Sequence, residues 1–294
     1  MRSLVTVGTF DGVHRGHQRL VRRLLAEAER SRLRPAVVLF DRPPRFFFHP
    51  EQAGPLITTV EERRTLLAGL GVRSVHVLPF NRHMAHVSHE RFFEEYLLRR
   101  CLAGGLLVGP DFAFGRDRKG DIGWLTHACD VLGLRFSILP LIQAGGHKIG
   151  SSRIRRLLAE GTVGEAARLL GRRYALTGEV HKGDGLGRRL GVPTANLAVC
   201  EEKIAPPGVF KVRVRSADGK GRLDRPGVCN VGTRPSVCDA GERRIEVHVL
   251  GFSGSLYGRR LTVEFLRRLR PERRFDSIDA LREQIRRDIR AAAR

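Results

Sequence analysis

The sequence has no long apolar run. Hydrophobic residues make up 41% of its 294 positions, but they nowhere continue for the ~20 positions that cross a bilayer. There is no secretory signal either, because Leu4-Val5-Thr6-Val7 is too short for a signal core and Asp11 soon follows. A cytoplasmic protein with no membrane partner is expected. Cysteine is scarce: Cys101, Cys129, Cys200, Cys229 and Cys238 are odd in number and widely spaced, with no Cys-x-x-Cys pair. That excludes zinc spacing and argues against a disulfide framework. Aromatics are 6% of the chain, with one Trp and three Tyr, too sparse for the interleaving that stacks bases. Lysine is nearly missing. The net charge of +22 is mostly arginine, spread over both halves in pairs such as Arg22-Arg23 and Arg286-Arg287. A composition-wide bias of this kind is not a patch built for nucleic acid, and no nucleic-acid partner is expected; the same field would draw in ATP.

The chain is long enough for two ordinary domains. Up to about residue 150, strand-like segments (Leu4–Val7, Ala36–Phe40, Ser74–Phe80, Leu106–Gly109, Arg135–Leu141) alternate with helical patterns at Gln18–Arg30, Val60–Leu70, Ser88–Leu102 and Asp121–Leu132. This alternation predicts a parallel sheet covered on both faces, with ligands outside the carboxyl ends of its strands. Two short helices are expected at Ser151–Glu160 and Val163–Leu170. Beyond Arg173 the pattern becomes β-rich: Tyr174–Val180, Val209–Arg215, Gly227–Val231, Ile245–Phe252 and Leu261–Leu266 are separated by Gly, Pro and Asp, and a helix runs from about Ser277. Short, closely spaced strands suggest a small β-barrel or sandwich. The fold class expected is α/β plus all-β, with a boundary at 172/173.

Gly8-Thr9-Phe10-Asp11-Gly12-Val13-His14-Arg15-Gly16-His17 follows the first strand and opens the first helix. Glycines let backbone amides approach a polyphosphate, and a helix N-terminus adds partial positive charge. His14 and His17, three residues apart, could stabilise charge growing on an attacked α-phosphate; the plainer reading is a turn whose histidines cap a helix. The motif resembles that of the nucleotidyltransferase superfamily, which implies roles for His14 and His17 in catalysis and for Gly8, Thr9, Phe10, Asp11 and Gly16 in ATP binding. Two further segments resemble the flavin-adenylating branch. In Gly109-Pro110-Asp111-Phe112-Ala113-Phe114-Gly115, Asp111 and Phe112 would contact flavin. In Ser151-Ser152-Arg153-Ile154-Arg155, Ser151, Ser152 and Arg155 would hold phosphates. Taken alone, the first could be a packed strand-end turn and the second a serine-capped helix.

A second glycine-dense loop runs through Lys182-Gly183-Asp184-Gly185-Leu186-Gly187-Arg188-Arg189-Leu190-Gly191 into Val192-Pro193-Thr194-Ala195-Asn196. Its amides can wrap phosphates. In an extended segment Thr194 and Asn196 face the same side, so both oxygens could meet one Mg2+. Glu246, on an otherwise apolar strand, is costly to bury without a task; the alternative is an edge-strand carboxylate facing water. With Gly-x-Pro-Thr-Ala-Asn, the stretch resembles riboflavin kinase. That resemblance implies Glu246 as the base for the riboflavin 5′-hydroxyl and Thr194 and Asn196 as metal ligands. It also implies Gly183, Gly185, Gly187, Arg188, Gly191 and Pro193 on ATP, and Asn230 and Arg234 on flavin.

Together the halves resemble the bacterial bifunctional riboflavin kinase/FAD synthetase family. The resemblance implies riboflavin, FMN, FAD and ATP as substrates and products, with Mg2+ at both steps. Three departures stand out. Arg42-Pro43-Pro44 replaces the family's Pro-His-Pro, with His49 as the nearest substitute. Ser236-Val237 follows Arg234-Pro235 in place of Thr-Phe, and Gly150 stands where a Ser is common. The alternatives are a kinase whose N-terminal domain is silent or transfers another nucleotide group, a nucleic-acid binder, and a flavin sensor without turnover. The oligomeric state is left open.

Overall fold

The computed structural model describes residues 1–140, 143–144, 147–219, 223–233 and 243–294. The chain forms two compact units, Met1–Ser151 and Ser152–Arg294. The two helices between the sheet and the barrel therefore pack with the second unit, whereas the sequence reading grouped them with the first.

The first unit holds β1 (Ser3–Gly8), α1 (Arg15–Arg30), β2 (Arg34–Phe40), α2 (Pro44–Phe48), α3 (Val60–Gly69), β3 (Ser74–Leu78), α4 (Arg82–His86) and α5 (His89–Arg91). A π-helix (Phe92–Arg100), β4 (Ala103–Val108), α6 (Ile122–Val131), β5 (Arg135–Ile138), the short pair β6 (Gln143–Ala144) and β7 (His147–Lys148), and two 3-10 turns (Pro50–Gln52 and Arg116–Arg118) complete it. The main sheet is parallel, in the order β3-β2-β1-β4-β5. Side chains alternate across it. Leu4, Val37, Leu39 and Leu107 meet Val21, Leu24 and Ala28 of α1 and Leu67 of α3 on one face. Val5, Val7, Val38 and Leu106 meet Phe92, Phe93, Tyr96 and Leu97 of the π-helix and Leu125 of α6 on the other. Both faces are covered, as expected of a parallel sheet. Strand order reverses at β1, where β2 and β4 flank it, and crevices open at the carboxyl ends of strands at such a reversal. The loops after β1 and β4 both lie there.

In the second unit α7 (Ser151–Ala159, its first residue closing the first unit) and α8 (Val163–Leu170) precede a closed barrel. Its strands are β8 (Ala175–His181), β9 (Ala195–Val199), β10 (Gly208–Ser216), β11 (Asp224–Thr233), β12 (Arg243–Val249) and β13 (Arg260–Arg270), in the order β10-β11-β12-β9-β8-β13. A one-turn helix, α9 (Leu186–Arg189), sits in the glycine-dense loop, and α10 (Ile278–Ala293) follows the last strand. Val212, Val214, Cys229, Val247, Val263 and Phe265 are buried. The pairing is antiparallel throughout, so polar residues alternating with these face outward.

Candidate functional site

In the first unit, the glycine loop is shaped from behind by the entry to α3. Asp11, expected on the phosphate side, turns its carboxylate inward. It is 1% exposed and accepts from the Ile57 and Thr58 amides (3.0 Å each) and from Thr58 Oγ1 (3.1 Å). A buried carboxylate must find donors, and these backbone amides supply them, tying the loop to the entry of α3. Thr58 Oγ1 in turn accepts from the Gly12 amide at 2.8 Å. Ser151 Oγ donates to the Asp11 carbonyl at 2.8 Å, bringing the start of the serine-rich motif to the loop. Phe10 is buried, its ring beside Gly8, where an added Cβ would come within 3.1 Å.

His14 does cap α1: its Nδ1 accepts from the His17 amide at 3.3 Å, which places the proton of the neutral ring on Nε2. The two imidazoles stack with centroids 3.7 Å apart and planes 13° from parallel. Burial, then the charges of His14 and Arg63, hold the His17 pKa well below the ordinary histidine value. His17 Nδ1 is buried without a hydrogen-bond partner among the described residues. A neutral His17 beside a capping His14 suits hydrogen bonding to a polyanion without binding it so tightly as a charged pair would. After β4, Phe112 and Phe114 stack at 5.5 Å, and Phe114 is buried against Trp124 and Phe92, while Asp111 is exposed. His49 lies past α2, exposed beside Glu51. Ser152 is exposed and Arg155 half-buried on α7, within the second unit.

In the second unit, strand register assembles the site. Asn230 on β11 lies opposite Glu246 on β12, and Glu246 lies opposite Asn196 on β9. Directly opposed residues share a face, so the three form one row. Ile245 and Val247 point into the barrel, so the row is on its outer surface. The glycine loop lies against that row. An added Cβ at Gly183 would fall 2.2 Å from Asn196 Nδ2, and one at Gly187 would fall 2.9 Å from Thr194 Oγ1. Asp184 of the loop pairs with Arg244 of β12 at 2.7 Å. Gly185 and Gly191 take left-handed φ values of 70° and 78°.

Two cavities meet at Thr194. One, of about 260 Å3, has apolar walls from Val192, Val209, Val228, Phe275 and the α10 residues Leu281, Ile285 and Ile289, with Asn230, Glu246 and Glu272 among its polar groups. The other, of about 240 Å3, is lined by Arg188, Pro193, Ala195 and the 252–257 turn. Burial is the main cause lifting the Glu246 carboxyl above the ordinary glutamate value; Arg244 pulls it down, and Asp184 and Glu272 push it up. Arg234, expected on flavin, lies outside the described residues.

Sequence reasoning missed several participants. His248 lines the first cavity and its Nδ1 contacts the Pro193 carbonyl at 2.8 Å, pinning the segment that carries Thr194. Arg244, Glu246 and His248 alternate with Ile245, Val247 and Val249, a period-two signal that marks all three as outward. Asp288 of α10 accepts from Arg270 (3.0 Å) and Gln284 (2.8 Å), joining the helix to β13. Thr58 and Arg63 had no local signal, because what they hold is far away in sequence.

Residues 1–153 match the FAD synthetase family and residues 170–294 match riboflavin kinase. The chain belongs to the bifunctional riboflavin kinase/FMN adenylyltransferase family. It is similar to the protein of that name from Pseudomonas fluorescens, with 39% identity over 98% of this chain and 91% of that one. It is also similar to the one from Escherichia coli (strain K12), with 37% identity over 97% and 90%. A crystal structure described as a macrolide-efflux protein from Streptococcus pneumoniae superposes with a TM-score of 0.88 at 31% identity, covering 99% of this chain and 94% of that one. In this chain no helix among the described residues is long and apolar enough to cross a membrane.

Proposed function

We propose that the chain makes FMN and ADP from riboflavin and ATP in its C-terminal part, residues 173–294, and makes FAD and pyrophosphate from FMN and ATP in its N-terminal part, residues 1–172. The observation that carries the first reaction is the outward row Asn230–Glu246–Asn196 beside two cavities that share Thr194. The apolar cavity suits a flat flavin ring, and the second, with Arg188, suits a nucleotide. Glu246 then accepts the proton of the riboflavin 5′-hydroxyl, its raised pKa bringing the base closer to working pH. That oxygen attacks the γ-phosphorus, and ADP leaves. Asn230 orients the flavin; Gly183, Gly185, Gly187 and Gly191 bring amides to the phosphates.

Thr194 Oγ1 and the Asn196 carboxamide are hard oxygen donors beneath the glycine loop, a fit for Mg2+, which ordinarily keeps water and substrate phosphates as its other ligands. Mg2+ there would offset charge on the phosphates of ATP.

In the N-terminal part loop amides between Gly8 and Gly16 hold ATP, apart from those of Gly12 and Val13, which bond within the protein, and His14 and His17 hydrogen-bond the reacting phosphate. Positioning and charge stabilisation are the whole of that mechanism. Asp111 and Phe112 are assigned to FMN, and Ser151, Ser152 and Arg155 to phosphates. A cytoplasmic location is part of the same proposal.

The test is a time course of the purified protein with riboflavin, ATP and Mg2+, with flavins separated by chromatography. FMN first and FAD later is the expected result. FMN without FAD would leave the kinase standing and point to the Pro43 departure. No FMN from folded protein would overturn the reading.

A further inference from the structure

The phosphate-side loop of the first unit is strained. Phe10 and Val13, neither of them glycine, hold left-handed φ values of 52° and 38°. Such conformations are strained and persist only where surrounding contacts over-determine them. Val13 is closed by its own amide onto the Phe10 carbonyl at 2.9 Å. For Phe10 the constraint comes from Arg63, which is 0% exposed on the first turn of α3. Arg63 NH1 donates to the Thr9 carbonyl at 2.8 Å and to the Phe40 carbonyl at 2.9 Å, and NH2 donates to the Asp41 carbonyl at 2.5 Å. Nε adds the Thr59 carbonyl at 3.3 Å. One guanidinium thus ties the chain just beyond β1 to the end of β2.

The consequence for a polyanion is direct. In a trans peptide the C=O and N–H point in opposite directions. Holding the Thr9 oxygen on a buried Arg63 therefore aims the Phe10 N–H away from the guanidinium. The carbonyls of Thr9, Phe40 and Asp41, which would repel phosphate oxygens, are drawn back onto a positive charge. The planar fork does what an ammonium cannot, because it serves several acceptors at once in fixed directions. We propose that Arg63 is a positioning residue for adenylyl transfer, fixing the Thr9–Phe10 peptide and the adjoining ends of β1 and β2 so that loop amides converge on the phosphates of ATP. This rests on the adenylylating role of the first unit.

Arg63→Lys keeps the charge and loses the fork, and Arg63→Met loses both. Steady-state FAD formation from supplied FMN, with ATP varied, is measured beside riboflavin phosphorylation in the same preparations and a thermal unfolding curve for each. Displacement of reacting groups by about 1 Å costs about 100-fold. The Lys variant should unfold as a wild-type-like cooperative unit yet show kcat reduced by about 10- to 100-fold, with a smaller change in the KM for FMN. The Met variant should fall further, and riboflavin phosphorylation should be unchanged in both. A folded Lys variant that makes FAD at the wild-type rate would overturn the inference. So would an activity loss that disappears on cooling below the unfolding transition, since a purely structural role would behave that way. Wild-type protein that makes no FAD would overturn the underlying assignment instead, and this inference with it.

Discussion

Glu246→Gln separates catalysis from stability in opposite directions. Glutamine keeps the shape of the side chain within the row Asn230–Glu246–Asn196, so packing beside the flavin cavity is preserved. What is lost is a base and a charge. General-base catalysis contributes roughly 100- to 10,000-fold, so kcat for FMN formation should fall by that factor, or about 3–5 kcal/mol of barrier. Stability should move the other way. The carboxyl of Glu246 is raised in the folded state by burial and by the neighbouring Asp184 and Glu272. Its ionised form is therefore less favourable folded than unfolded, and at pH above the raised value the wild type gives up stability that the glutamine variant retains. The advantage should shrink as pH falls through the raised pKa and vanish below the ordinary glutamate value, where both states are protonated. The assay is FMN formation by chromatography at saturating substrates, with FAD formation from supplied FMN as the internal control and Tm followed from pH 5 to 9. A folded variant whose kcat stays within about tenfold of wild type, below the range expected for a base, would remove Glu246 from that role. A Tm lower than wild type at high pH would refute the electrostatic account.

The acid limb of kcat/KM for riboflavin phosphorylation should lie above the ordinary glutamate pKa, and Glu272→Gln, by removing a like charge, should move it down; a limb left in place would show that Glu272 is too well screened to matter. His17→Ala should abolish FAD formation from supplied FMN while FMN formation continues, as read in the same two assays. Gly183→Ala would press a methyl group against Asn196 Nδ2, so kcat/KM for ATP in the kinase reaction should drop by about 10- to 100-fold with FAD formation intact. Asp288→Ala strips a buried partner from Arg270, a change that typically costs about 3–5 kcal/mol; a raised KM for riboflavin and a lower Tm should appear together.

Much of the architecture was legible because hydrophobic period follows element type. The strands expected at Leu4–Val7 and Ala36–Phe40 are Ser3–Gly8 and Arg34–Phe40, and the helix expected at Val60–Leu70 is Val60–Gly69. The glycine motifs were legible because close approach to phosphate restricts residue type over a few adjacent positions. Less visible were interactions made across long sequence separations. Ser88–Leu102 had a helical period, but nothing in it announced that Phe92–Arg100 would wind as a π-helix. Asp11 sat inside a phosphate motif and was read as part of it, although its partners are 46 and 47 residues away. The same holds for Arg63, one of three arginines between residues 60 and 73, whose burial depends on where the carbonyls of β1 and β2 come to rest. Conversely, the row Asn230–Glu246–Asn196 required the barrel order itself, since β9 is inserted between β12 and β8.

The outward placement of that row gives the kinase half a particular freedom to change. At the strands concerned its barrel interior is filled by aliphatic side chains and Cys229, and the reacting groups stand on the opposite side of the same backbone. Substitutions that retune the flavin or nucleotide fit can fall on the glycine loop, the 252–257 turn or the inner face of α10 without altering the volume of the packed centre. The scaffold and its chemistry are thus inherited on alternate residues of the same strands, so each can drift under its own selection.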